Sequence, residues 1–120
     1  MSPRATRAVQ DAARRIVSER DQGKCCMCGA EAADVHHRRR KGMGGSALLE
    51  QPSNLLTLCG LGNTSGHHGW AHQNPAQANQ YGLVLYEFEV PAETPVLTPD
   101  GWFLLDDEGG RHPFAGEVPA

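Results

Sequence analysis

The sequence predicts an α+β fold: a small metal-stapled domain with an N-terminal helix in front of it and a C-terminal hairpin behind. Three observations predict it. Apolar residues recur at helical spacing near the N-terminus, the apolar runs farther on are short and bounded by Gly or Pro, and cysteines and histidines come in groups at metal-ligand spacing. With 120 residues, 39% hydrophobic, 14 Gly and 8 Pro, the chain has material for one modest core, and such a core gains from an added staple such as a metal ion.

Residues 1–22 form the first unit. Ala5, Ala8, Val9, Ala12, Ala13, Ile16 and Val17 recur at spacings of three and four, which predicts an amphipathic helix over about residues 4–20. Arg4, Arg7, Arg14 and Arg15 fall on its other side, as a solvated face or a phosphate-facing one. Residues 23–82 form the core unit. "DQG" ends the helix, "KCCMCGAEA" is a tight knuckle, "ADVHH" a short strand, and "RRRKGMGGSALLEQPS" a glycine-rich loop without periodicity. "NLLTLC", between Pro52 and Gly60, is a second strand, and "HHGWAHQNPAQANQYG" starts as a helix that Pro75 breaks or restarts. Residues 83–108 follow as a strand, "LVLYEFEV", and a hairpin whose turn is Pro-Asp-Gly, in "PVLTPDGWFLLDD". Residues 109–120 read as a flexible tail.

Composition narrows the setting. No run of apolar residues is long enough to span a membrane, and the N-terminus lacks the apolar segment of a secretory signal, so an intracellular, reducing compartment is expected. Four cysteines there point to metal ligation before disulfides. The net charge of -3 hides an asymmetry: residues 1–41 hold ten Lys/Arg against five acids, and residues 42–120 hold only Arg111 against nine. The first part suits a polyanion; the second faces water or a partner.

Cys25 and Cys28 form a C-x-x-C that one ion can bridge, and Cys59 with His67 supplies a distant second pair. Three thiolates and one imidazole make a soft, tetrahedral set that fits zinc. Cys26 in place of Cys25, a redox pair, or free buried thiols are the other readings. Five of the six histidines lie in two clusters, His36/His37 and His67/His68/His72. The i, i+4 spacing puts His68 and His72 on one helix face, where they can share a divalent ion. A zinc clamp would bring that helix beside the strand bearing His36 and His37.

"CCMC", "VHHRRRKGMGG", "PSNLLTLC" and "HHGWAH", in that order over roughly residues 25–72, resemble the HNH endonuclease family, in particular its zinc-stapled bacteriophage-type members. Relatives usually carry a cysteine immediately before the helix histidine. Here His67 stands in its place, and the "GLGNTSG" loop is longer than in the shortest relatives. The resemblance implies a treble-clef-like ββα-metal fold that hydrolyses DNA phosphodiester bonds in the cytoplasm of a bacterial host. It implies that His37 is the general base, that Asn54 holds the loop or touches the metal, and that His36, His68 and His72 ligate a catalytic ion (Mg²⁺, Mn²⁺, Ni²⁺ or Zn²⁺). Cys25, Cys28, Cys59 and His67 would hold the structural Zn²⁺.

Arg38, Arg39, Arg40 and Lys41 are expected to contact the DNA backbone, with a solvated loop as the bland alternative. Gly42, Gly44 and Gly45 would allow close approach. Phage-type relatives often work beside DNA-packaging machinery, so terminase or portal proteins are expected as possible partners. A chain that has lost catalysis and serves as a zinc-stapled DNA-binding or assembly module is the competing reading. Trp70, Trp102 and His112 read as structural.

Overall fold

The computed structural model describes residues 6–40, 47–61 and 64–117. Its elements run α1 (Arg7–Asp21), β1 (Asp34–His37), two 3₁₀ turns (Ala47–Glu50 and Pro52–Asn54), β2 (Leu55–Leu58), α2 (Gly66–Gln73) and α3 (Pro75–Gln80). A 3₁₀ turn (Pro91–Glu93) then leads into β3 (Val96–Thr98), β4 (Gly101–Leu105) and β5 (Arg111–Pro113). Two antiparallel sheets result, β1–β2 and β3–β4–β5.

α1 starts where Thr6 caps it, its hydroxyl accepting from Val9 N–H at 3.2 Å. It ends where Gln22 turns left-handed and its N–H reaches the Ser18 carbonyl. The buried face is narrower than the spacing predicts: Ala13, Val17 and Arg20 are enclosed, while Val9 is exposed. Ala13 and Val17 pack on Leu55. Arg20 donates to the Pro52 and Leu55 carbonyls at 2.8 and 2.6 Å and pairs with Asp21, so the end of α1 is fastened to the start of β2.

β1 and β2 pair with His36 opposite Leu56 and His37 opposite Leu55. Side chains alternate along a strand, and paired residues share a face. Leu55 meets α1, whereas Leu56 and Leu58 enter the main core with Ala71 of α2, Ala78 of α3, Leu83, Val96 and Leu105. The small sheet thus lies between α1 and α2. His36 looks toward α2 and His37 toward α1.

Asn74 separates α2 from α3, and Pro75 restarts the helix, as its fixed φ and missing N–H require. The Pro-Asp-Gly turn joins β3 and β4 as expected. Two expectations fail. "LVLYEFEV" makes only an isolated bridge, Leu85 to Arg39, because Tyr86, Phe88 and Val90 project outward and leave that stretch without a second face to bury. Within the supposed flexible tail, Arg111–Pro113 pairs with β4, and the Arg111 guanidinium sits over the Phe103 ring at 4.2 Å. No helix among the described residues is long and apolar enough to cross a membrane.

Candidate functional site

The knuckle supplies the first two candidate ligands, Cys25 and Cys28. Cys25 N–H donates to Ala30 O at 2.7 Å and Gly29 N–H to Cys25 O at 2.9 Å, and the chain reverses at Gly29 with φ +78°, where a side chain would be strained. Cys26 N–H donates to Thr57 O at 2.8 Å, which sets the knuckle against β2. The other two ligands come together because the backbone crosses itself between Cys59 and His67. A Cβ at Gly60 would strike Ser65, and one at Gly66 would strike Cys59, so only glycine permits the crossing.

Cys25, Cys28, Cys59 and His67 consequently gather with all four donor atoms within 4.8 Å of one another. Cys28 Sγ lies 3.8 Å from Cys59 Sγ, and His67 Nδ1 lies 3.6 Å from Cys25 Sγ and 3.3 Å from Cys59 Sγ. A tetrahedral zinc with Zn–S of about 2.3 Å and Zn–N of about 2.0–2.1 Å sets S···S near 3.8 Å and S···N near 3.6 Å. The cluster is therefore of the size zinc needs. Burial pushes the Cys25 thiol up, but backbone amides of Cys59, Cys28 and Met27 outweigh it and leave its pKa below the ordinary value. Cys26 stands outside the cluster, its thiol pushed up to about 12 by burial and by nearby Asp21, so Cys25 is the better-placed thiolate ligand.

A second group joins α2 to β1. His36, His68 and His72 bring one ring nitrogen each within 4.8 Å of the others. His68 Nε2 and His72 Nε2 are 3.3 Å apart, the separation of two nitrogens on one ion at about 2.1 Å. The outer nitrogens are held by the protein. His36 Nε2–H donates to the Leu83 carbonyl at 2.6 Å, leaving a buried Nδ1 without a hydrogen-bond partner. His68 Nδ1–H donates to the Asp34 carboxylate at 3.2 Å, leaving Nε2 as the inward lone pair. Partners of this kind fix the tautomer a metal needs. Burial, followed by the neighbouring imidazoles, lowers the His36 pKa to about 3, the Leu83 carbonyl opposing only in part; burial, His68 and Arg40 lower that of His72. Neutral imidazoles, the ligating form, are favoured.

His37 ends β1, and a cleft of about 20 Å³, room for about one water molecule, has His36, His37, Arg38, Arg40 and His72 among its lining residues. Although the strand sends the two histidines to opposite faces, its termination lets both reach this cleft. His37 Nε2 lies 2.9 Å from Glu50 Oε1.

The remaining sequence-predicted residues divide sharply. Asn54 is fully buried. Its Oδ1 accepts from Arg39 N–H at 2.8 Å and its Nδ2 donates to Leu49 O at 2.9 Å, so it braces the loop. Arg38 is corrected outright. It is 0% exposed, and its guanidinium donates to the carbonyls of Gly82, Ser53, Pro91 and Thr94 at 2.7–2.9 Å. A side chain so enclosed offers nothing to DNA. Arg39 is half-buried beside Leu85, and Arg40 is exposed at the cleft. Lys41 and the glycines at 42, 44 and 45 lie outside the described residues. Trp70 stacks on Tyr81 at 6.2 Å, as a structural residue would.

Sequence reasoning missed Asp34 and Glu50. The first had a signal, since it stands two before His36 and therefore shares its strand face. Glu50 had none, because it lies within the stretch read as a glycine-rich loop without periodicity, and only the folding back of that stretch brings it to His37. Comparison with protein-family models, curated proteins and solved structures found no match to this chain.

Proposed function

We propose that this chain is a metal-dependent endonuclease of the HNH, ββα-metal type, hydrolysing phosphodiester bonds of DNA. The observation that carries the reading is the convergence of His36, His68 and His72 on one point, with His37 in the same cleft. A zinc-binding module would need only the cysteine cluster; a second, all-imidazole cluster in which His36 and His68 have their outer nitrogens held is suited to chemistry.

In this reading the knuckle zinc fixes α2 through His67, and the adjacent His68 and, one turn on, His72 are thereby placed opposite His36. A divalent ion held by these three would stabilise charge on the phosphoryl and leaving oxygens. His37 takes the proton of the attacking water at its ring nitrogen not bonded to Glu50. An O–P bond forms as the P–O3′ bond breaks, and the leaving oxygen takes its proton from water. Arg40, exposed beside His37 and His72, meets the phosphate, a contact without sequence information. Asn54 keeps the strand exit closed behind His37.

The competing reading, an assembly or DNA-binding module without catalysis that docks packaging proteins such as terminase or portal, draws on exposed Tyr86, Phe88 and Val90, which offer an apolar surface to a protein. Plasmid nicking by the zinc-replete protein with Mg²⁺, Mn²⁺ or Ni²⁺ separates the two. Cutting by wild type, lost in a folded His37→Ala, supports the nuclease. A protein that holds zinc and cuts with none of these ions leaves the module.

A further inference from the structure

We infer that Glu50 is the positioning residue for His37: a buried carboxylate that holds the imidazole as its Nε2–H tautomer and so leaves Nδ1 as the proton-accepting nitrogen. The catalytic consequence rests on the nuclease reading, whereas the pairing rests on geometry alone. Glu50 Oε1 and His37 Nε2 are 2.9 Å apart, with the Glu50 side chain 0% and the His37 side chain 16% exposed. Glutamate is almost never enclosed to this degree without a partner that repays its lost hydration. A histidine that is to take a proton is neutral, and beside an ionised carboxylate, which only accepts, it has a single N–H to give. Giving it at Nε2 leaves the lone pair on Nδ1.

The scaffold holds this contact from both sides. Asn54 Nδ2 donates to the carbonyl of Leu49, the residue before Glu50, and Asn54 Oδ1 accepts from the N–H of Arg39, two residues after His37. One fully buried amide thereby ties the 3₁₀ turn that carries Glu50 to the exit of β1 that carries His37. Leu83 O on His36 and Asp34 on His68 follow the same rule, each using one ring nitrogen so that the other stays available. A carboxylate that orients a histidine base in this manner is a recurring arrangement in hydrolases. A carboxylate that only filled space would not need to meet a ring nitrogen.

Glu50→Leu removes the acceptor while filling most of the volume, and Glu50→Gln keeps an acceptor oxygen without the charge. Circular dichroism and the zinc content establish that each variant is folded. In plasmid nicking, Glu50→Leu should lower kcat about 10²-fold or more, within the range general-base catalysis contributes, with KM changed less than about twofold. Glu50→Gln should recover part of that loss. Combined with His37→Ala, Glu50→Leu should add nothing, because it acts through that residue. Wild-type kcat in Glu50→Leu, or losses that multiply in the double variant, would overturn the inference. Side-chain ¹⁵N NMR supplies a readout free of activity: His37 of the wild type should carry its proton on Nε2, and Glu50→Leu should release it to a mixture. Should wild type cut nothing, the nuclease reading falls, and the spectra still decide the pairing. A wild-type His37 protonated on Nδ1 overturns it, even if Glu50→Leu does not fold.

Discussion

Arg38→Met separates a clasp from a DNA contact, and its cost can be worked from the geometry. The guanidinium makes four N–H···O bonds, to Gly82, Ser53, Pro91 and Thr94. Bonds from a charged donor are worth about 1.5–3 kcal/mol each, roughly 6–12 kcal/mol in all. Against this stands the cost of enclosing the charge. Burial pushes the Arg38 pKa from 12.5 down to about 10, which corresponds to about 3 kcal/mol at 1.36 kcal/mol per unit. Methionine retains most of the side-chain stem, so the loss falls on carbonyls left without a donor rather than on a large void. Bonds sharing one side chain do not add fully, and an expected destabilisation of about 3–5 kcal/mol matches that for breaking other buried charge networks. That is a large part of the 5–15 kcal/mol typical of a domain. Urea unfolding at saturating zinc measures it, with Arg40→Ala as the comparison. The exposed Arg40 should change stability by less than about 0.5 kcal/mol while weakening DNA binding. An Arg38→Met protein within about 1 kcal/mol of wild type that has lost DNA affinity would refute the clasp and return Arg38 to the interface.

Three further outcomes follow from the two clusters. Cys59→Ser should sharply lower zinc affinity and loosen the fold, measured by zinc content and thermal unfolding, since an ion held by the four donors would link the knuckle to the crossing at Gly60 and Gly66. The three-imidazole set should take Ni²⁺ or Zn²⁺ and bind Mg²⁺ far more weakly, because nitrogen donors suit borderline transition metals and hard Mg²⁺ prefers oxygen. Calorimetric titration of the zinc-replete protein and of His68→Ala checks this, and equal binding of Mg²⁺ and Ni²⁺ would count against it. Stability should also fall with acid. His36 titrates near 6.5 when unfolded and about 3 when folded, so the unfolded chain binds the extra proton between those values. Its contribution is complete above pH 6.5 and is lost toward pH 3 at up to about 1.4 kcal/mol per pH unit. Denaturation of wild type and His36→Leu across that window, without added divalent metal, should show the steeper slope only in the wild type.

Much of the fold was legible because its signals are local. The apolar period gives α1, the C-x-x-C gives the knuckle, Pro75 gives the break between helices, and Pro-Asp-Gly gives the β3–β4 turn. Both ligand groups were legible for the same reason. A tetrahedral ion or a helix turn accepts only certain spacings, and Cys25/Cys28 and His68/His72 satisfy them. Where the local pattern depended on a second surface, sequence misled: "LVLYEFEV" alternates as a strand would, yet Tyr86, Phe88 and Val90 stay exposed, and Arg111–Pro113 becomes a strand because β4 is there to pair with it.

The sequence by itself determined which donors this protein carries and that they would fall into two groups. Only the tertiary structure decided which charges face outward and which residues hold the donors in place. Arg38, Arg39 and Arg40 read alike in a run of three. The exit from β1 turns Arg38 inward to four carbonyls supplied by segments 15 to 56 residues away, and leaves Arg40 at the cleft. Asp34, Leu83 and Glu50 reach their histidines across separations of 34, 47 and 13 residues. Contacts of that range depend on how the whole chain closes: strand alternation could place Asp34 on the face of His36, but no spacing rule within one segment could have revealed which histidine Asp34, Leu83 or Glu50 would meet.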